Sequence, residues 1–141
     1  MRQPHDLLAT VMHVASMVQD RLESALEPTG LSLAKLGALR HLAEANEPLA
    51  LGQLAEKIAC VKSNVTQLVD RLEADQLVRR VPDPSDRRSV RAEITEEGRV
   101  RYEAGMEAVK SAGADLVGEL EPSDRDQLHE LLGRLASVPL T

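Results

Sequence analysis

Aromatic side chains are nearly missing from this chain: Tyr102 stands alone, with no Phe and no Trp among 141 residues. Readers of single-stranded nucleic acid stack bases on aromatic platforms, so that class is disfavoured, and any nucleic-acid target would be duplex DNA. Cysteine is equally scarce. With Cys60 alone, no disulfide can form within the chain, which fits a reducing compartment. The four histidines, His5, His13, His41 and His129, show no His-x-x-x-His spacing and there is no Cys-x-x-Cys, so no metal site and no cofactor is expected. Nor does any spacing offer a nucleophile with its base, which argues against an enzyme. Charges interrupt every long apolar run, and the opening MRQPHDLLATVMHV lacks a signal-peptide layout. A cytoplasmic protein without a membrane partner is the expectation.

What is present is a series of apolar stripes at helical spacing, in a chain that is 43% apolar and long enough for one domain with a real core. Leu7, Val11, Val14, Ala15, Val18, Leu22 and Leu26 predict a helix over 5–26, ended by Pro28 and Gly30. Ser32 is the expected N-cap of a second helix carrying Leu33, Leu36, Leu39, Leu42 and Ala43. A short helix over 49–59 is followed almost at once by another from 62, a spacing suited to a helix-turn-helix. Thr95 is placed to cap a long helix with Glu96 and Glu97 in its first turn. Four glycines in that helix, at 98, 105, 113 and 118, each lower its intrinsic stability by about 1 kcal/mol. Pro122 opens a last helix with Leu128, Leu131, Leu132 and Leu135 on one face.

The stretch from Cys60 to Thr95 carries the functional signal. Val65, Leu68, Val69 and Leu72 face a core, while Ser63, Thr66, Gln67, Asp70 and the flanking Arg71 are polar without being uniformly charged. Two strands follow, 77–81 and 89–95, the second alternating Val90, Ala92 and Ile94 against Arg91, Glu93 and Thr95. Between them PDPSDRRS reads as a turn-rich tip from which Arg87 and Arg88 project. A helix followed by a basic-tipped hairpin is the plan of a winged helix-turn-helix, in which the helix enters the major groove and the wing meets backbone or minor groove. Net charge is −6, yet the segment 79–91 sums to +3 and leaves −9 elsewhere. This segregation gives phosphate a basic edge on an acidic body.

The terminal helices lie outside that unit and carry stripes that one copy would struggle to bury. A two-fold dimer pairing them would bury identical stripes together and present two reading helices.

LGQLAEKIA, KSNVTQLVDRLEADQLVRR, DPSDRRS and ITEEGR, in this order and separation, resemble the MarR family of winged-helix transcription regulators over almost the whole chain. The resemblance implies a mainly α fold of about six helices with a small β-hairpin wing. It divides the single domain 1–141 into a DNA-binding region, 32–95, and dimerisation helices, 1–31 and 96–141. It further implies a homodimer that acts on a palindromic double-stranded DNA operator as repressor or activator, an effector-responsive repressor being the expected form. The DNA-binding residues are then Lys62, Ser63, Asn64, Thr66, Gln67, Arg71, Arg87 and Arg88. Asp70 and Arg88 correspond to an ion pair that orients the wing, and His13, His41 and Tyr102 are candidates for a small-molecule effector cleft.

Some positions depart from the family. Ala50 and Val61 stand where helix-capping Ser, Thr or Asp is common, each at a cost of about 1 kcal/mol. Gln67 replaces a frequent arginine, which shifts base preference. Cys60 reads as a small buried turn residue rather than a redox sensor. The competing reading of the fold is a winged-helix adapter that binds protein and no DNA; Arg87, Arg88 and the polar helix face favour DNA.

Overall fold

The computed structural model describes residues 1–58 and 62–139, with the side chains of Lys62 and Ser63 outside that description. Helices α1 (Pro4–Leu26), α2 (Leu33–Ala45), α3 (Leu51–Lys57) and α4 (Lys62–Ala74) precede the hairpin, and α5 (Glu96–Val117) and α6 (Pro122–Ala136) follow it. Three strands, β1 (Leu49–Ala50), β2 (Val78–Asp83) and β3 (Asp86–Ile94), form an antiparallel sheet in the order β1-β3-β2. The fold is mainly α with a small β wing, as the sequence predicts.

Local chemistry sets most of the boundaries. After α1 a 3-10 turn over Glu27–Thr29 leads into Gly30 at φ +74°, a left-handed conformation that glycine adopts freely. The Ser32 hydroxyl accepts the Lys35 N–H and starts α2, and the Thr95 hydroxyl accepts the Gly98 N–H and starts α5. Ala50 has no capping side chain, but Gln53 reaches back and accepts the Ala50 N–H, which recovers half of a capping box. The cap expected to be missing at Val61, and the turn position expected of Cys60, lie outside the described residues.

Two expectations need correction. The segment 49–59 is not all helix: Leu49 and Ala50 pair with Ala92 and Arg91 as a third strand before α3 begins. The wing strands are also longer than 77–81 and 89–95, meeting at a tight turn through Pro84 and Ser85. Proline and aspartate at the ends of an exposed edge do not break a strand whose other side is paired.

The core joins α2, α3 and α4 to the base of the sheet: Leu39, Leu54, Val65, Val69, Leu72, Leu77 and Ala92 have no exposed surface. Along β3 the predicted alternation holds, with Ala92 and Ile94 buried, but Val90 is exposed because the strand has by then left the core. Helix α5 packs across α1 and α2. Its glycines at 98 and 105 are buried, and a Cβ on Gly98 would stand 2.0 Å from the Leu77 carbonyl oxygen. These two glycines admit close approach and so cost less than their helix propensity suggests. Helix α6 has every residue exposed, including Leu128, Leu131, Leu132 and Leu135. Leu7, Leu8, Met12, Val14 and Met17 of α1 are exposed as well. No helix among the described residues is long and apolar enough to cross a membrane.

Candidate nucleic-acid interface

Helix α4 turns Val65, Val69 and Leu72 inward, and the 3.6-residue period then fixes which side chains face out. Asn64, Gln67, Asp70 and Arg71 are exposed and Thr66 is half-buried. Gln67 sits near the middle of the outward face, Arg71 and Asn64 on one flank, Asp70 and Glu73 on the flank toward the wing. Lys62 and Ser63, the first candidates of this helix, have side chains outside the described residues.

The C-terminus of α4 decides how the wing leaves it. Leu77 N–H donates to the Leu72 carbonyl and Gln76 N–H to that of Glu73, with Gln76 at φ +64°. This is a Schellman motif, closed by the buried Leu72 and Leu77, in which glutamine occupies the position that usually holds glycine.

At the wing tip Asp83 accepts hydrogen bonds from the Ser85 backbone N–H (2.9 Å) and hydroxyl (2.8 Å), and Asp86 accepts one from the Arg88 N–H. The Ser85 backbone donor, then its hydroxyl, with Arg91 adding attraction, hold the Asp83 carboxyl at a pKa of about 2. The register breaks here. Pro82 opposes Val90 while Asp83 opposes Asp86, so Arg87, Arg88 and Ser89 face no partner on β2. Pro82 has no N–H for the ladder, which suits the slip.

Charge pairing separates the five arginines of the segment 79–91. Arg79 bonds Glu93 at 2.9 Å, Arg80 bonds Asp70 and Glu73, and Arg91 lies 3.4 Å from Asp83. Among the described residues Arg87 and Arg88 alone of the five have no ion pair, and both are exposed. The expected pair between Asp70 and Arg88 is therefore corrected: the partner of Asp70 is Arg80. The physical reason is position, since Arg80 lies near the start of β2 beside α4, whereas Arg88 is carried out to the tip. Partial burial works against the charge on Arg80, but the hydrogen bonds it donates to Asp70 and Glu73 outweigh it and its pKa is raised. Sequence reasoning missed Arg80 and Glu73; the available signal was the i, i+3 spacing of Asp70 and Glu73 on one helix flank.

Among the described residues, the candidate effector residues His13, His41 and Tyr102 stand on three different helices. His13 borders a shallow depression on α1 with Met17, Asp20 and Arg21, and its lining includes neither His41 nor Tyr102. Tyr102 packs half-buried against the core from α5, and His41 is half-buried on α2.

Two closely spaced helices, the second with a polar outer face, and a hairpin whose basic tip has no ion pair among the described residues define a winged helix-turn-helix DNA-binding protein. The MarR family model matches residues 31–90. The transcriptional activatory protein BadR of Rhodopseudomonas palustris is 32% identical over 123 residues, covering 84% of this chain and 70% of BadR. The chain belongs to the MarR family, which is made up of transcriptional regulators and not enzymes. Among solved structures, CouR of Rhodococcus jostii RHA1 bound to p-coumaroyl-CoA is 25% identical with a TM-score of 0.76, covering 94% of this chain and 92% of CouR. A mutant MarR of E. coli complexed with operator DNA shares the fold at 21% identity and TM-score 0.82, covering 92% of this chain and 93% of that one.

Proposed function

We propose that this regulator binds a palindromic double-stranded DNA operator as a homodimer and acts as a repressor released by a small-molecule effector. The observation that carries the reading is the coexistence, in one fold, of the polar outer face of α4 with a wing tip whose Arg87 and Arg88 have no ion pair among the described residues. Region 32–95 serves as the DNA-binding unit. In it Asn64, Thr66, Gln67 and Arg71, with Lys62 and Ser63, meet the major groove, and Arg87 and Arg88 meet phosphate or the minor groove.

Dimerisation through 1–31 and 96–141 is supported by the leucines of α6, each 45–46% exposed, and the exposed apolar residues of α1. Covering what remains of each leucine would contribute about 1 kcal/mol. An effector held between the dimer and DNA-binding regions is supported by the CouR complex, with His13, His41 and Tyr102 as the residues to test.

Selection of bound sequences from a random duplex pool tests the reading. Enrichment of an inverted repeat with half-sites about one helical turn apart is expected, with affinity falling steeply with salt. An unenriched pool would refute it and favour the adapter. Sedimentation of Leu131→Glu tests the dimer: a monomer at concentrations where the wild type is dimeric is expected.

A further inference from the structure

We infer that Arg80 is the residue that orients the wing, and that Arg88 is thereby left free as a second phosphate-seeking cation beside Arg87. The inference rests on the DNA-binding reading above and adds a division of labour among the wing arginines.

Strand β2 is the outer strand of the sheet, so its far edge has no strand to pair with. At that edge Glu73 accepts two hydrogen bonds from one residue: the Arg80 main-chain N–H at 3.0 Å and its guanidinium at 2.8 Å. The other end of the same guanidinium bonds Asp70. Asp70 and Glu73 are three residues apart, one turn of α4, and a planar guanidinium has the fork to span both. The clamp thus fixes strand and side chain of Arg80 to one flank of the reading helix. It lies at the root of the wing, where a small rotation becomes a large displacement at the tip.

Two consequences separate Arg80 from Arg88. The charge of Arg80 is already opposed by two carboxylates, so it has little left for counterion release on DNA. Arg88 sits in the register slip with Arg87, exposed and without an ion pair among the described residues, so its charge is available.

The experiment is a double-mutant cycle on the full-length protein, using a selected operator duplex at several salt concentrations. Asp70→Asn should weaken binding about fivefold per wing in the wild type and in Arg88→Ala, and less than twofold in Arg80→Gln, because only Arg80 shares its interaction. Arg88→Ala should lower the salt slope by about one unit per wing, while Arg80→Gln leaves the slope unchanged. Arg80→Lys, which keeps a charge able to reach one carboxylate, should recover part of the lost affinity. Coupling of Asp70 to Arg88 in place of Arg80, or a slope lowered by Arg80→Gln, overturns the inference. Should Arg80→Gln not fold, Asp70→Asn with and without Arg88→Ala still decides: additive losses uphold the assignment and non-additive losses refute it. Nitrogen-15 relaxation without DNA provides an arm independent of operator binding, so that failure of the DNA-binding reading is distinguishable. Amides at 83–88 should become more mobile in Arg80→Gln and not in Arg88→Ala; the reverse pattern overturns the assignment.

Discussion

Adding one methyl group at three glycines of α5 should give three different results. At Gly98 an ideal Cβ lies 2.0 Å from the Leu77 carbonyl oxygen and 2.8 Å from the Ile94 side chain. That oxygen belongs to backbone and also accepts the Thr95 N–H, so it cannot swing aside as a side chain would. Opening the gap by more than 1 Å must shift α5 against β2, costing about 3 kcal/mol or more in overpacking, with roughly another 1 kcal/mol for the strained hydrogen bond. The gain in helix propensity returns only about 1 kcal/mol. At Gly105 the Cβ meets methyl ends of Leu31 and Leu36 at 2.9 Å, and these can give by a few tenths of an ångström. The net cost there should be about 1 kcal/mol. At Gly113 nothing lies within 4 Å, and Gly113→Ala should stabilise by up to about 1 kcal/mol. Urea unfolding at one fixed protomer concentration compares the three, since a dimer's midpoint depends on concentration. If Gly98→Ala proves as stable as Gly113→Ala, the close approach of α5 to Leu77 is wrong.

Gln76→Gly should raise stability by about 0.5 to 1 kcal/mol, because φ +64° strains any side chain and the Schellman bonds need none; loss of stability would mean that the glutamine makes contacts of its own. The Asp83 carboxyl should titrate near pH 2 in a carbon-13 NMR series. Its folded pKa is depressed, so its support of the wing is complete above about pH 4, the unfolded range, and is lost as pH falls toward 2. A midpoint near 4 would remove the Ser85 clip from consideration. Gln67→Ala should reduce discrimination at one symmetric base pair by about 1 to 3 kcal/mol and spare the salt slope, whereas Arg87→Ala should weaken all operator variants alike and reduce the slope. Binding of both to an operator library decides, and uniform weakening by Gln67→Ala would contradict base reading by that amide.

Much of this architecture is legible in the order of residues because helices repeat. Val65, Val69 and Leu72 recur at the helical period, and all three have no exposed surface. Ser32 and Thr95 announce themselves as caps through chemistry within three residues of the N–H they accept. What escapes is set by contacts distant in sequence. Strand β1 has two residues, too few for any period, and exists only because β3 offers Leu49 and Ala50 an edge. Gly98 and Gly105 look like weak points until Leu77, Leu31 and Leu36 are placed against them. The partner of Asp70 is hidden for the same reason. Sequence offers several arginines, and only the docking of β2 beside α4 selects Arg80 over Arg88.

The electrostatics of the wing follow from that selection. A formal +3 over 79–91 suggests a diffuse basic patch, but Arg79, Arg80 and Arg91 are each held against carboxylates of Glu93, Asp70 with Glu73, and Asp83. Most of the segment's charge is thus spent inside the protein, and what the tip would offer phosphate is two guanidiniums on an irregular stretch of β3. Screening confines such a field to roughly 8 to 10 Å at physiological salt, while the surrounding body carries net negative charge. On the proposed reading, attraction would therefore act only when the wing already lies near the backbone with α4 turned to the groove. In the proposed mode of binding, an acidic protein gains orientation from this arrangement: a mispositioned approach would bring acidic surface toward phosphate, and the correct one would bring Arg87, Arg88 and the polar face of α4 together.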